Sequence, residues 1–265
     1  MDFMEIRTQA LQVLCICDPA EKAAAAQALY AHTLTGLPLE PSLQLIAPPD
    51  LPGRPAKPQL MSALQVPNRS PFTLEGRAAL LHAITHIEFN AINLALDAVW
   101  RFAQMPREFY LDWLQVAAEE SLHFSLLHTH LQSLGYRYGD FDAHDGLWSM
   151  AERTAGDVLA RMALVPRTLE ARGLDATPPL QAKLARAGDH RAVEILAIIL
   201  KDEVGHVLIG NRWYRHLCRE QGLDAVAIYP ELVTRFAAPR LRPPFNLAAR
   251  EAAGFSAEEL AYLQA

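Results

Sequence analysis

Two short stretches of the chain repeat one pattern: an acid, a glutamate, two further residues and a histidine. They read EESLH at residues 119–123 and DEVGH at residues 202–206. Residues three apart share one face of a helix, with Cβ atoms about 5–6 Å apart, so one carboxylate and one imidazole can bind the same metal ion. The bare Glu-x-x-His pattern is common, but the acid that precedes both copies makes a chance origin much rarer. The repeat therefore predicts metal-ligand pairs.

The surrounding sequence predicts four long amphipathic helices, because apolar residues recur at spacings of three and four. The helices are expected at about residues 74–102, 107–134, 146–172 and 187–218. The Glu-x-x-His pairs interrupt the apolar stripes of the second and fourth helices. The first and third helices each place a single glutamate in mid-stripe, Glu88 and Glu170. Glu88 precedes Glu120 by 32 residues and Glu170 precedes Glu203 by 33, so the two halves match in spacing.

Together these stripes predict a buried site for two divalent cations. Its six ligands would be Glu88, Glu120, His123, Glu170, Glu203 and His206. Four carboxylates and two imidazoles in one helical interior are costly unless cations neutralise them. The alternative is that these acids belong to solvated or ion-paired helix faces. Pro166, one turn before Glu170, is expected to kink the third helix, which makes Glu170 the weakest of the six assignments.

Several neighbouring residues are secondary candidates. Glu119 and Asp202 lie one residue off the stripes, where each could accept a hydrogen bond from a ligating imidazole of the partner helix. The alternative is that both are helix-surface acids. Tyr214 lies two turns beyond His206 and is a candidate redox-active side chain, with core packing as the simpler interpretation. His86 points away from Glu88 around the helix and is interpreted as a packed or hydrogen-bonded histidine.

The patterns place the chain in the all-α class. Four long amphipathic helices can bury their stripes together as an antiparallel four-helix bundle. We expect three segments within one compact unit: residues 1–73 as N-terminal helices and a proline-rich strap, 74–218 as the bundle, and 219–265 as a C-terminal extension. The strap, residues 37–71, is too rich in proline for a helix or an inner strand.

Composition limits the functions open to the chain. The formal charge of −6 argues against a general nucleic-acid binder, which must neutralise phosphates. The three cysteines Cys15, Cys17 and Cys218 contain no Cys-x-x-Cys pair, which favours a reducing cytoplasm over a disulfide framework. The N-terminus does not read as a secretory signal, and the apolar runs are too short to span a membrane.

Beyond the two acid-Glu-x-x-His motifs, three further stretches carry a resemblance to a known family. They are GRPAKP, EGRAALLHAITHIEFNAINLALD and RPPFNLAAREAAGF. The chain resembles the bacterial ferritin-like family called domain of unknown function 455, from about residue 5 to the end, and is distantly similar to tRNA-modifying di-iron hydroxylases. The resemblance implies a ferritin-like bundle with a dinuclear site at the six ligands named above, and no known reaction.

The expected function is a di-iron, di-manganese or mixed-metal oxidoreductase that activates O2 or peroxide, because hard carboxylates with two imidazoles suit Fe or Mn. A small-molecule substrate and an unidentified electron donor would be its partners, and a homodimer is left open. One alternative is a ferroxidase-type, iron-handling protein without an organic substrate. Another is an RNA-modifying hydroxylase that uses an arginine patch in the tail: Arg235, Arg240, Arg242 and Arg250.

Overall fold

The computed structural model describes residues 5–67 and 69–264. The first four residues, on which the expected absence of a secretory signal partly depends, lie outside the described residues. The chain forms two compact units, Met1–Trp148 and Ser149–Ala265. Most described residues are helical, so the prediction of a mostly all-α helical bundle is confirmed. The division into segments at residues 73 and 218 stays a prediction.

Unit 1 is built on two short and two long helices: α1 (Ile6–Leu14), α2 (Pro19–Thr33), α3 (Leu74–Arg101) and α4 (Arg107–Ser133). The local sequence sets their ends. Asp18 caps α2, accepting hydrogen bonds from two backbone N–H groups, with Pro19 in the first helical position. Five residues connect α3 to α4, and this short connection makes the two long helices packed neighbours. Gly135, at φ +85°, follows the end of α4 as the sequence predicts.

The proline-rich strap is irregular along its described residues, as predicted, apart from a two-residue strand. This strand, β1 (Leu60–Met61), pairs in parallel with β2 (Ala143–His144), a pairing that the sequence pattern does not predict. The buried Arg7 of α1 holds the strap against α3. Its guanidinium donates to the carbonyl oxygen of Leu43 in the strap at 2.7 Å and to that of Trp100, near the end of α3, at 2.8 Å. One side chain thus joins three parts of unit 1.

The helices from residue 146 onward differ from the expected pattern. They are α5 (Gly146–Arg153), which contains the boundary between the units, α6 (Val158–Leu164), a π-helix (Val165–Glu170), α7 (Arg172–Arg186), α8 (His190–Glu220), α9 (Ala225–Arg235), α10 (Leu247–Ala252) and α11 (Ala257–Gln264). Asp157 caps α6 and Asp189 caps α8. The long helix α8 lies close to its predicted position.

The single third helix predicted for residues 146–172 is wrong. A turn at residues 154–156 ends α5, and Asp157 starts a new helix instead. The kink expected at Pro166 takes the form of the π-helix, and the ring of Pro166 packs against Gly210 of α8. The connection expected at residues 174–188 is largely helical, with Pro178 inside α7. Pro178 has no N–H for the carbonyl oxygen of Leu174, and the side chain of Asn246 donates to that oxygen instead, at 3.2 Å.

Among the described residues, the helices are too short or too polar for any of them to cross a lipid bilayer.

Candidate metal centre

Unit 1 brings three of the predicted ligands into contact. Nδ1 of His123 on α4 lies 3.2 Å from Oε2 of Glu120 and 3.3 Å from Oε2 of Glu88 on α3. All three side chains are buried. One ligand atom from each lies within 4.8 Å of the other two. The residue pattern of α3 and α4 puts both acids on the apolar face, so packing of that face carries the acids inside.

Burial and mutual charge govern protonation in this triad. Burial, followed by the charge of Glu120, raises the pKa of Glu88 to about 8. Burial by itself would lower the pKa of His123, but the hydrogen bonds and charges of Glu120 and Glu88 outweigh it and raise that pKa well above the ordinary value. The triad therefore retains protons between its ligand atoms at neutral pH.

The donor set of this triad fits a divalent cation. Ligand atoms that each lie about 2.0–2.2 Å from one ion are at most about 4.4 Å apart. The distances from Nδ1 of His123 to Glu120 and to Glu88, 3.2 Å and 3.3 Å, lie within that limit. Two carboxylates and one imidazole are hard or borderline donors, which suits Fe or Mn. A cation would also replace the protons that now screen the two acids from each other. A metal ion in unit 1 could thus be held by Glu88, Glu120 and His123.

Unit 2 brings the second Glu-x-x-His pair together on α8. Oε1 of Glu203 lies 4.0 Å from Nδ1 of His206, and both side chains are buried. Gly173 lies beside this pair, near the start of α7. A methyl group on its Cα would lie 3.8 Å from the Glu203 carboxyl carbon, which is an ordinary van der Waals contact, so the space next to this carboxylate is not filled. The helix spacing therefore orients one carboxylate and one imidazole to the same side, as predicted.

The remaining predicted ligand, Glu170, is the last residue of the π-helix. Its side chain is partly exposed, but its Oε2 atom is buried. π-Helical turns occur often at functional sites, since the extra residue changes the direction of a side chain. Each trio of predicted ligands, Glu88, Glu120 and His123 or Glu170, Glu203 and His206, lies within one unit.

The secondary candidates have their own surroundings. Glu119 is partly exposed and accepts a hydrogen bond from Gln115 at 3.0 Å. Asp202 is also partly exposed. Tyr214 is buried, donates its hydroxyl proton to the Ala225 carbonyl at 2.6 Å, and has a pKa raised by burial. These contacts give Tyr214 a packing role, and its predicted redox role stays a prediction.

Two histidines next to the first predicted ligand belong to a separate network. His86 lies 2.7 Å from the hydroxyl of Tyr138 and 3.1 Å from the carbonyl oxygen of His144. His82 accepts a hydrogen bond from the N–H of Gly139 at 2.9 Å and stacks on Tyr138. Burial lowers the pKa of both imidazoles to about 4. Their interpretation as packed, hydrogen-bonded residues agrees with these contacts.

Sequence reasoning missed Arg167, a buried cation in the π-helix. Its guanidinium contacts Asn211 and Glu259 and lies over the rings of Tyr214 and Phe255, with centroids 4.8 Å away in both cases. The only sequence signal was a charged residue directly after Pro166 within an apolar stripe. That signal is weak, because arginine side chains commonly reach from a stripe to solvent.

Comparison with known proteins identifies the family. The family model described as "Protein of unknown function (DUF455)" matches residues 15–261. The chain belongs to this family. A protein of Haemophilus influenzae (strain ATCC 51907 / DSM 11121 / KW20 / Rd), described as "Uncharacterized protein", is 50% identical over 262 residues, covering 93% of this chain and 89% of the relative. No solved structure matches the chain. The DUF455 resemblance seen in the sequence is therefore confirmed, and it brings no known reaction.

Proposed function

We propose that this DUF455 protein is a carboxylate-bridged dinuclear metal oxidoreductase that uses iron, manganese or one ion of each. The observation that supports the proposal best is the buried trio of Glu88, Glu120 and His123, whose ligand atoms lie within 4.8 Å of one another. Three ionisable groups in this arrangement are costly without a cation. The second Glu-x-x-His pair repeats the arrangement on α8, and with Glu170 it would supply the remaining ligands.

The bound ions would supply the electron changes and open coordination positions that reduction of O2 or peroxide requires. The chain would orient the metal ligands and exclude water from the site. The apolar stripes of α3 and α4 bury the ligands, and His123 and Glu88 would hold or release a proton as ions leave or enter. Hydroxylation or oxidation of a small organic substrate, with electrons from a separate reductase, is the proposed reaction class. A cytoplasmic location is part of the same proposal.

Burial of one of the four tail arginines weakens the RNA-modifying alternative. Arg250 is fully buried and forms an ion pair with Asp175 at 2.6 Å, so it is not part of an exposed phosphate-binding patch. Arg235, Arg240 and Arg242 are exposed. The net charge of −6 also favours a small-molecule substrate over a nucleic acid.

Metal analysis of the purified 265-residue chain tests the proposal. Wild-type protein, loaded anaerobically with Fe²⁺ or with Mn²⁺ and then desalted, should hold two ions per chain. Glu120→Gln and Glu203→Gln should each lower the metal content by at least one ion, with unchanged helical content by circular dichroism. Glu75→Gln on α3 and Glu194→Gln on α8 are matched controls, because both carboxylates are exposed.

Two outcomes would overturn the proposal. The first is wild-type protein that retains no metal from either solution. The second is full loading of both ligand variants. Accumulation of many iron atoms per chain after addition of O2 would instead support the iron-handling alternative, since a dinuclear enzyme stops at two.

A further inference from the structure

Within unit 2, the C-terminal residues surround a groove of about 940 Å³. This volume lies within the range of small-molecule sites, about 300–1,000 Å³. Aromatic and aliphatic side chains form most of its wall, including Tyr229, Phe245 and Tyr262. The charged side chains among its lining residues are Arg240 and Arg242, both exposed and both positive. The groove thus combines flat apolar walls with positive charge.

A small inner pocket shares four lining residues with the groove, among them Tyr229 and Tyr262. It has about 10 Å³ of space, which is room for one water-sized atom. The charged residues that line this pocket are Arg167, Arg250 and Glu259, and all three are buried. Its size therefore admits a single oxygen atom, but not a whole phosphate group.

Each of these two arginines has a buried nitrogen without a hydrogen-bond partner among the described residues. Arg167 uses Nη1 for Asn211 at 2.6 Å and Nη2 for Glu259 at 2.9 Å, and its Nε has no acceptor. Arg250 uses Nε and Nη2 for the two carboxylate oxygens of Asp175, and its Nη1 has no acceptor. A buried donor left unpaired destabilises the fold, because it has lost its hydrogen bond to water. Both residues line one pocket, and an oxygen acceptor inside it would give these donors a partner.

The charge balance of this region favours an anion. Arg167 and Arg215 share the carboxylate of Glu259, and Arg250 pairs with Asp175. Three guanidinium groups against two carboxylates leave one positive charge, to which Arg240 and Arg242 add at the groove. A neutral or cationic ligand would leave these charges without compensation.

We propose that the groove and its inner pocket form a binding site for a small organic carboxylate with a flat aromatic body. One carboxylate oxygen accepts from Arg167 and Arg250 in the inner pocket, and the ring lies against Tyr262 and Phe245. Arg240 and Arg242 attract the anion at the groove. The site requires no bound metal. Arg167 nevertheless shares the π-helix with Glu170, three residues away, so this site and a predicted metal ligand are built on one short element.

Isothermal titration calorimetry of the 265-residue chain with 2-naphthoate, in buffer containing EDTA, tests this site separately from metal binding. We expect saturable binding of one 2-naphthoate per chain. The neutral analogue 2-naphthalenemethanol, which has the ring without the charge, and acetate, which has the charge without the ring, should each bind at least about tenfold more weakly, the equivalent of one or two lost interactions.

Surface variants test the walls of the groove without disturbing its buried ion pairs. The double variant Arg240→Ala/Arg242→Ala should weaken 2-naphthoate binding by about fivefold, since exposed charges are screened by solvent and contribute modestly to binding. Tyr262→Ala should weaken binding by about tenfold, whereas Tyr262→Phe keeps the ring and should bind normally. Arg235→Ala, an exposed arginine of α9 outside the groove lining, is the matched control and should bind as wild type does.

Failure of 2-naphthoate to bind wild-type protein would overturn the proposed site, as would equal binding of the neutral alcohol. Unchanged affinity in both the double arginine variant and Tyr262→Ala would overturn it as well. Because the titration is done without metal, each of these outcomes leaves the dinuclear proposal to its own test.

Discussion

Nδ1 of His123 lies 3.3 Å from Oε2 of Glu88, so two neighbouring long helices, α4 and α3, meet through an imidazole and a carboxylate in a buried position. Burial and the charge of Glu120 raise the pKa of Glu88, which means that the ionised form of Glu88 is disfavoured in the metal-free fold. The arrangement is thus better suited to holding a cation than to stabilising the fold without one.

Replacing Glu88 by Gln should therefore separate metal binding from folding. We expect metal-free Glu88→Gln to unfold in urea with a free energy within about 1 kcal/mol of wild type, since a neutral group already dominates at this position near pH 7. Mn²⁺ at about 100 times its dissociation constant should stabilise wild type by about 2.7 kcal/mol, and EDTA should abolish that gain. The Glu88→Gln variant should gain less than half as much stability from Mn²⁺. The control variant Glu75→Gln should gain as much as wild type. If Glu88→Gln also gained as much as wild type, Glu88 would be excluded as a ligand.

Metal affinity should depend strongly on pH. Without metal, Glu88 is protonated below about pH 8 and His123 also holds a proton, so a cation must displace both. The logarithm of the apparent association constant for Mn²⁺ should consequently rise with pH between 6 and 8, with a slope of up to about two. Titration calorimetry in two buffers of different ionisation enthalpy counts the released protons. A slope near zero would contradict a ligand role for these residues.

The histidine network around Tyr138 should make unit 1 sensitive to acid. Burial lowers the pKa of His82 and of His86 to about 4, whereas unfolded histidine titrates near 6.5. Between these values the unfolded chain binds more protons, so stability falls as pH drops from about 6.5 to 4 and levels off below 4. The loss should be of the order of a few kcal/mol per histidine.

Urea unfolding of metal-free protein at pH 7 and pH 5 measures this loss. His86→Gln keeps hydrogen-bonding capacity but cannot take up a proton, so its stability should fall less between the two pH values than that of wild type. His32→Gln, at an exposed position on α2, should behave as wild type. Identical pH dependence of His86→Gln and wild type would show that His86 does not cause the acid sensitivity.

Alanine substitutions at two glycines of α8 test whether the contact with Pro166 holds the π-helix in place. A methyl group on Gly210 would lie 2.6 Å from Cβ of Pro166, and the rigid proline ring cannot give way by rotation. Gly210→Ala should therefore cost about 1–3 kcal/mol and shift the π-helix that carries Glu170. Gly205→Ala meets open space and should be neutral or stabilise α8 by up to about 1 kcal/mol.

Thermal unfolding and metal content of both alanine variants measure the two effects. Loss of metal from Gly210→Ala, but not from Gly205→Ala, would support Glu170 as a ligand. Full stability of Gly210→Ala would mean that Pro166 does not hold the π-helix in place.

The sequence by itself determined the helical class, the positions of α3, α4 and α8, and the burial of Glu88, Glu120, His123, Glu203 and His206. Each of these follows from local information, because helix caps set the ends and a period of 3.6 residues decides which side chains share a face. The placement of Glu203 and His206 on one side of α8 required only the spacing of three residues.

Only the tertiary structure decided the region from residue 154 to residue 188. Pro178 could lie inside α7 because Asn246, more than 60 residues away, donates to the carbonyl that the proline leaves free. The π-helix at Pro166 depends on Gly210 of another helix, and the buried Arg167 depends on Glu259 near the end of the chain. Such contacts join residues far apart in sequence, so no periodicity or local propensity records them.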